Sequence, residues 1–357
     1  MGSTASDVLV RACAARTGTG ELAVLPQRRP NRGSLRGRTA DPELADTINT
    51  AARHENARSG ASQVAKTNEE LFSVETPIAK KGPTGRTLSE FAVPAPLKSH
   101  GPARIISLCN QKGGVGKTTT TISLGAALAD YGRRVLCIDF DPQGALSAGL
   151  GVNTHDAVTI YDLLLSNKHD PLDAIQHTSV DGLDIIPANI DLSAAEVHLV
   201  NEVAREQILA RVLRKLAPHY DVILIDCQPS LGLLTVNALT ASHGVLIPLE
   251  CEFFALRGVA LLIETIEKVK DRLNPAIELD GILATMFDSR TLHSREVLER
   301  VVDAFGDDVL ETVIGRTVKF PDASVAGSPI TEFAPEHASA KAYRQLAREL
   351  VARGAVA

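Results

Sequence analysis

Short apolar runs alternate with longer stretches of helical periodicity from residue 104 to the C-terminus, and this alternation sets the expected architecture. The runs at 104–109, 134–139, 183–187, 221–226, 243–249, 279–286 and 309–314 are rich in Val, Ile and Leu and bounded by turn residues, so each predicts a buried strand. Between them, apolar residues recur at helical spacing over 117–131, 191–217, 232–241, 255–272, 292–304 and 337–353. Strand and helix in turn predict an α/β fold: a mostly parallel, doubly wound sheet with helices on both faces. Ligands of such a sheet bind beyond the carboxyl ends of its strands.

Residues 1–100 break the pattern. They hold two aromatics, Phe72 and Phe91, and are dense in Ala, Gly, Arg, Ser and Thr. Such a segment buries too little apolar surface to offset the entropy of ordering it, so a largely disordered tail is expected over 1–100, ahead of one domain over 101–357. The tail carries 14 Lys and Arg against 10 Asp and Glu, a net of +4, which leaves 23 against 33, a net of −10, for the rest. An acidic domain argues against a general nucleic-acid coat, so any DNA contact must come from a local patch or from the tail. Within the tail, 86–97 mixes apolar residues with prolines and runs into the first strand. It is read three ways: docked on the domain, a short peptide ligand, or a plain linker. The five cysteines, Cys13, Cys109, Cys137, Cys227 and Cys251, include no C-x-x-C pair and are expected to be reduced core residues of a cytoplasmic protein. No apolar run has the length of a transmembrane helix, and no membrane partner is expected.

The chemistry concentrates at strand ends. The first apolar run leads into Gln111-Lys112-Gly113-Gly114-Val115-Gly116-Lys117-Thr118, a glycine-rich loop opening a helix. Glycines let successive N–H groups point inward at anionic oxygens, the helix start adds free N–H groups, and Lys117 adds a positive charge. The Thr118 hydroxyl is placed to ligate Mg²⁺. Gly116-Lys117-Thr118 matches the end of the Walker A pattern, while the pattern's first glycine is replaced by Gln111 and Lys112 puts a second cation inside the loop. Two further runs end in carboxylates. Asp226 closes 221–226 in the Walker B manner and is the candidate Mg²⁺ holder; Asp139 and Asp141, two apart, point the same way in extended chain. Either could orient an attacking water.

These segments, with Ile138-Asp139-Phe140-Asp141-Pro142-Gln143-Gly144 and Ile225-Asp226-Cys227-Gln228-Pro229-Ser230, resemble the deviant Walker A family of P-loop ATPases, and within it the ParA/Soj branch of chromosome and plasmid partition ATPases. The resemblance covers roughly 104–353. It implies a slow, switch-type, Mg²⁺-dependent ATP hydrolase with ATP and Mg²⁺ as its ligands. Gly113, Gly114, Val115 and Gly116 would cradle the phosphates, Lys117 bind the β- and γ-phosphates, Thr118 the Mg²⁺ and Thr119 the α-phosphate. Lys112 would reach the nucleotide of a partner subunit in an ATP-sandwiched homodimer. Asp141 would be needed for hydrolysis, with Asp139 and Asp226 supporting the metal and its waters. Met286, Gly315 and Arg316 would lie at the nucleoside, and Arg290 and Lys319 would contact DNA without sequence preference. The implied partners are a second copy of the chain, non-specific DNA and a ParB-like activator, with nucleoid association in the ATP state. Two departures stand out: Gly315 replaces the family's proline near the adenine, and Gln228 replaces a proline after Walker B. A MinD-like ATPase positioning cargo on a membrane is the alternative, which an unsupported basic C-terminal helix would favour. Asn167-Lys168-His169-Asp170 fits a guanine-recognition pattern, but precedes Walker B in a polar turn and is read as chance.

Overall fold

The computed structural model describes residues 81–166, 168–252 and 255–356. Seven strands form one sheet: β1 (Arg104–Leu108), β2 (Val135–Phe140), β3 (Gln176–His177), β4 (Leu183–Ile186), β5 (Val222–Cys227), β6 (Gly244–Glu250) and β7 (Glu278–Thr285), in the order β3-β4-β2-β5-β1-β6-β7. All neighbours are parallel except β3, which pairs antiparallel with β4. The alternation of side chains sends Leu136, Ile138 and Phe140 of β2 into one core layer and Val135 and Cys137 into the other. A strand buried on both faces leaves no polar position to expose, which is why these runs are continuously apolar.

Helices α1 (Lys117–Asp130), α2 (Ala145–Gly149), α3 (Ile160–Leu165), α4 (Leu192–His198), α5 (Ile208–Leu216), α6 (Leu233–Ala241), α7 (Ala255–Arg272), α8 (Leu292–Phe305), α9 (Lys319–Val325), α10 (Ile330–Phe333) and α11 (Ala338–Ala352) cover the two faces. α1 and α11 share one layer, where Tyr343, Leu346 and Leu350 of α11 are buried. β1 is central, between β5 and β6, so the loop leaving it opens where connections diverge to both sides of the sheet.

Two expected elements differ. The run 309–314 is not a strand: it follows β7 through Leu310 N–H to Ile282 O at 3.0 Å and Ile314 N–H to Ala284 O at 2.9 Å. Between these, the buried carboxylate of Glu349 in α11 takes the N–H groups of Glu311 (2.7 Å) and Thr312 (2.8 Å), so no regular ladder forms. The periodic stretch 191–217 is two helices, because Ala204 adopts left-handed backbone (φ 53°) and Asn237 of α6 takes the Leu209 N–H and donates to Arg205 O. That side chain restarts the helix.

The described part of the expected tail is bonded to the domain. Arg86 donates to Val309 O at 2.8 Å and to Gly306 O, the Ser89 N–H and hydroxyl both bond the Glu311 carboxylate, and Arg133 donates to Ala95 O at 2.9 Å. The stretch 86–97 is therefore docked. Residues 1–80, with Cys13, lie outside the described residues. Cys109, Cys137, Cys227 and Cys251 are buried free thiols.

Candidate active site

The loop from β1 to α1 is fixed from below. Asn110 Oδ1 accepts the Lys112 N–H at 2.9 Å while its amide donates to Pro248 O, and the Thr285 hydroxyl at the end of β7 donates to Val115 O at 2.9 Å. Gly114 and Gly116 have φ of 75° and 85°, backbone that a Cβ disfavours. A Cβ at Gly114 would meet nothing within 4 Å, so its requirement is conformational and not one of space. No side chain caps α1, whose N–H groups are left for a ligand. Lys117 is buried under the loop, with Nζ 3.3 Å from Lys112 O.

Beside the helix start, Thr118 Oγ1 donates to Asp226 Oδ2 at 2.6 Å. Asp226 is fully buried, and its Oδ1 has no partner. Burial first, and the neighbouring Asp139 second, push its carboxyl up to about 8, against the opposing pull of the Thr118 hydroxyl and Lys117. Asp139 lies in register with Asp226 on the adjacent strand. Its oxygens accept from Ser147 N–H (2.9 Å), the Ser147 hydroxyl (2.7 Å) and Asp141 N–H (3.3 Å), and burial raises its carboxyl to about 6. Asp141 is half-exposed and accepts the Gln143 N–H at 3.0 Å. A buried carboxylate oxygen without a donor, next to a hydroxyl, suits a divalent cation; the pair Thr118 and Asp226 fits Mg²⁺. Ser147, which donates twice to Asp139 and accepts the Ala188 N–H, is a feature that sequence reasoning missed.

A cleft of about 270 Å³ continues from the loop and is lined by Gly116, Thr119, Thr285, Met286, Gly315, Arg316, Phe320 and Tyr343. It joins Thr119 to all three residues expected at the nucleoside. Met286 takes φ of 51°, unusual for a side chain of its size, held by the Thr285 hydroxyl bond on one side and by Phe287 N–H to Ile314 O (3.0 Å) on the other.

Other candidates lie in ion pairs. Lys112 Nζ bonds Glu250 Oε2 at 2.9 Å and also Glu252, and Arg316 Nη2 bonds Glu250 Oε1 at 3.0 Å. Arg290 makes a two-pronged pair with Asp288 (2.9 and 2.8 Å), and Lys319 lies 3.4 Å from Asp322. Neither lines the cleft. Gln228, the departure after Walker B, donates to Glu196 Oε1 at 3.1 Å, and the same oxygen accepts the Leu234 N–H at the start of α6. Asp170 caps a short 3-10 turn through the Leu172 N–H, a structural role, and Asn167 lies outside the described residues.

Comparison with known proteins agrees with this geometry. The model of an AAA domain matches residues 103–279. The sporulation initiation inhibitor protein Soj of Bacillus subtilis is 46% identical over 70% of this chain and 99% of its own. The chromosome partitioning protein ParA of Caulobacter vibrioides is 45% identical over 71% of this chain and 96% of its own. A crystal structure described as cobyrinic acid a,c-diamide synthase of Mycobacterium smegmatis, with bound ADP and magnesium, is 42% identical and superposes with a TM-score of 0.62 over 71% of this chain and 96% of that one. With the loop, the Thr118–Asp226 pair and the sheet order in place, these identities over nearly the whole length of the relatives mean that the chain belongs to the Soj/ParA family of P-loop chromosome-partitioning ATPases.

Proposed function

We propose that this chain is an ATP-driven switch: with ATP it forms a homodimer that binds DNA without sequence preference, and hydrolysis, stimulated by a ParB-like partner, releases it. The observation that carries the reading is the Thr118–Asp226 pair with its unpartnered buried oxygen, set against the uncapped start of α1. The backbone of Gly113, Gly114, Val115 and Gly116 cradles the phosphates, Lys117 neutralises the β- and γ-phosphates, and Thr119 reaches the α-phosphate. Thr118 and Asp226 hold Mg²⁺, which when bound offsets the charge of the phosphate oxygens. Met286, Gly315 and Arg316 line the nucleoside cleft. Asp141 orients the water that attacks the γ-phosphorus while the bond to the ADP oxygen breaks. Asp139, expected beside Asp226 at the metal, has both oxygens taken by Ser147 and the Asp141 N–H, so it acts one step back, holding the Asp141 backbone. Lys112 serves the nucleotide of the second copy, and Arg290 and Lys319 meet DNA phosphates.

The alternative, positioning on a membrane, would need a free apolar face on the C-terminal helix. In α11 those residues are buried in the core, and no helix among the described residues is long and apolar enough to cross a membrane. The test is a DNA titration with no nucleotide, with ADP and with a non-hydrolysable ATP analogue, at two salt concentrations. Binding with the analogue only, weakened by salt, supports the switch. Equal binding in all three states refutes it.

A further inference from the structure

Lys112 and Arg316, two cations expected at the nucleotide, are both held by carboxylates at the end of β6. Glu250 ends that strand with a side chain 11% exposed, and its two oxygens separate the cations: Oε2 to Lys112 at 2.9 Å, Oε1 to Arg316 at 3.0 Å. Glu252 folds back over the same spot, its N–H bonding Glu250 O at 2.7 Å, and bonds Lys112 from the solvent side. Because β6 pairs directly with β1, this acidic turn lies beside the phosphate loop. The Lys112 backbone is fixed by Asn110 and by Lys117 Nζ, so only its side chain is free to move.

We propose that Glu250 and Glu252 are a counter-charge latch that parks Lys112 until a second copy of this chain presents a nucleoside triphosphate. The inference rests on the Lys112 role given above and deepens it. Two carboxylates compete with the incoming phosphates for one ammonium group. A triphosphate carries more charge, and reaches further across the interface, than a diphosphate, so it wins where the diphosphate does not. The latch thus sets both the concentration at which copies pair and the preference for ATP over ADP. Its pairs are half-exposed on the Lys112 and Glu252 sides, at 43% and 51%, so the hold is weak enough to be exchanged.

The experiment is sedimentation of the full chain with Mg²⁺ and either a non-hydrolysable ATP analogue or ADP, without DNA, alongside a nucleotide titration of the monomer. Glu252→Gln is expected to lower the protein concentration for half-dimerisation by about five-fold with the analogue, the scale of two lost exposed ion pairs, one in each copy, and to bring on partial dimerisation with ADP. Monomer affinity for nucleotide and melting temperature stay near wild type, and Glu252→Asp, which keeps the charge, stays near wild type in dimerisation. Glu250→Gln with Glu252→Gln shifts further. If Lys112→Gln abolishes dimerisation while Glu252→Gln pairs at the wild-type concentration or above it, the latch is refuted and the Lys112 role stands. If Lys112→Gln dimerises normally, the Lys112 role falls and the latch with it.

Discussion

Replacing Asp226 with Asn should separate what the site costs from what it does. Asp226 is fully buried; one oxygen accepts from Thr118 at 2.6 Å and the other has no donor in the protein. An unpartnered buried polar atom costs about 1–3 kcal/mol, and more when it is charged. Asn keeps the shape and can still accept from Thr118, but removes a carboxyl that burial pushes up to about 8 and that must therefore take up a proton on folding at neutral pH. The expected gain is about 2 kcal/mol, which for a domain of this size is a rise of roughly 4–8 °C in melting temperature. Thermal melts in EDTA should therefore rank the variant above wild type. With Mg²⁺ and an ATP analogue the order should reverse, because only wild type gains from the metal. A variant that melts at or below wild type in EDTA would mean that the carboxylate is satisfied without a cation. A variant that gains as much from the analogue as wild type would mean that the metal is held elsewhere.

Lys117→Ala should weaken ATP binding by about 100-fold or more in calorimetry, the scale of a lost charge-assisted bond to phosphate; near-normal affinity would overturn the loop assignment. Asp141→Ala should bind the ATP analogue within a few-fold of wild type yet lose about 100-fold or more of hydrolysis, and ordinary turnover in a phosphate-release assay would assign the water to another group. Arg290→Glu with Lys319→Glu should abolish DNA retention and leave analogue-dependent dimerisation intact. The present partners of these cations, Asp288 and Asp322, are little obstacle, since exposed ion pairs are screened by water and readily exchanged; undiminished retention would move the surface to another face. Glu349→Gln should lower the melting temperature by about 6–12 °C, because it weakens two carboxylate bonds to backbone N–H groups and the pair with Arg353, about 3 kcal/mol together; an unchanged melt would refute that anchoring.

Six strands were legible because they are buried on both faces over most of their length and so read as apolar runs, whereas β3, two polar residues at the sheet edge, was not; the phosphate loop was legible because its glycines and Lys117 have fixed spacing. What escaped depends on side chains distant in sequence. The run 309–314 has strand composition, and only a glutamate in α11 diverts its N–H groups. Nothing in 191–217 announces a break; the capping Asn237 lies beyond the intervening strand. Lys112 was legible as a loop cation, whereas Glu250 and Glu252 follow a strand with no motif and look like ordinary solvated charges. Ser147 matters only because β2 and α2 bring it onto Asp139. Gln228 was visible as a departure, but its partner Glu196 was not, since the pair spans 32 positions.

The docked stretch 86–97 bears on how the sheet ends. Past β7 the segment 309–314 has its N–H groups at 309–312 and 314 bonded within the chain, so the groups left on that border are acceptors, which cannot by themselves template an added strand. Arg86 and Ser89 cover that border by occupying Val309 O and the Glu311 side chain. Composition would place the start of an autonomous fragment near Gly101. Chain begun there would lose the Arg86 and Ser89 bonds, so the clasp, remote from the phosphates, fastens the last border of the sheet to the residues that lead into its first strand.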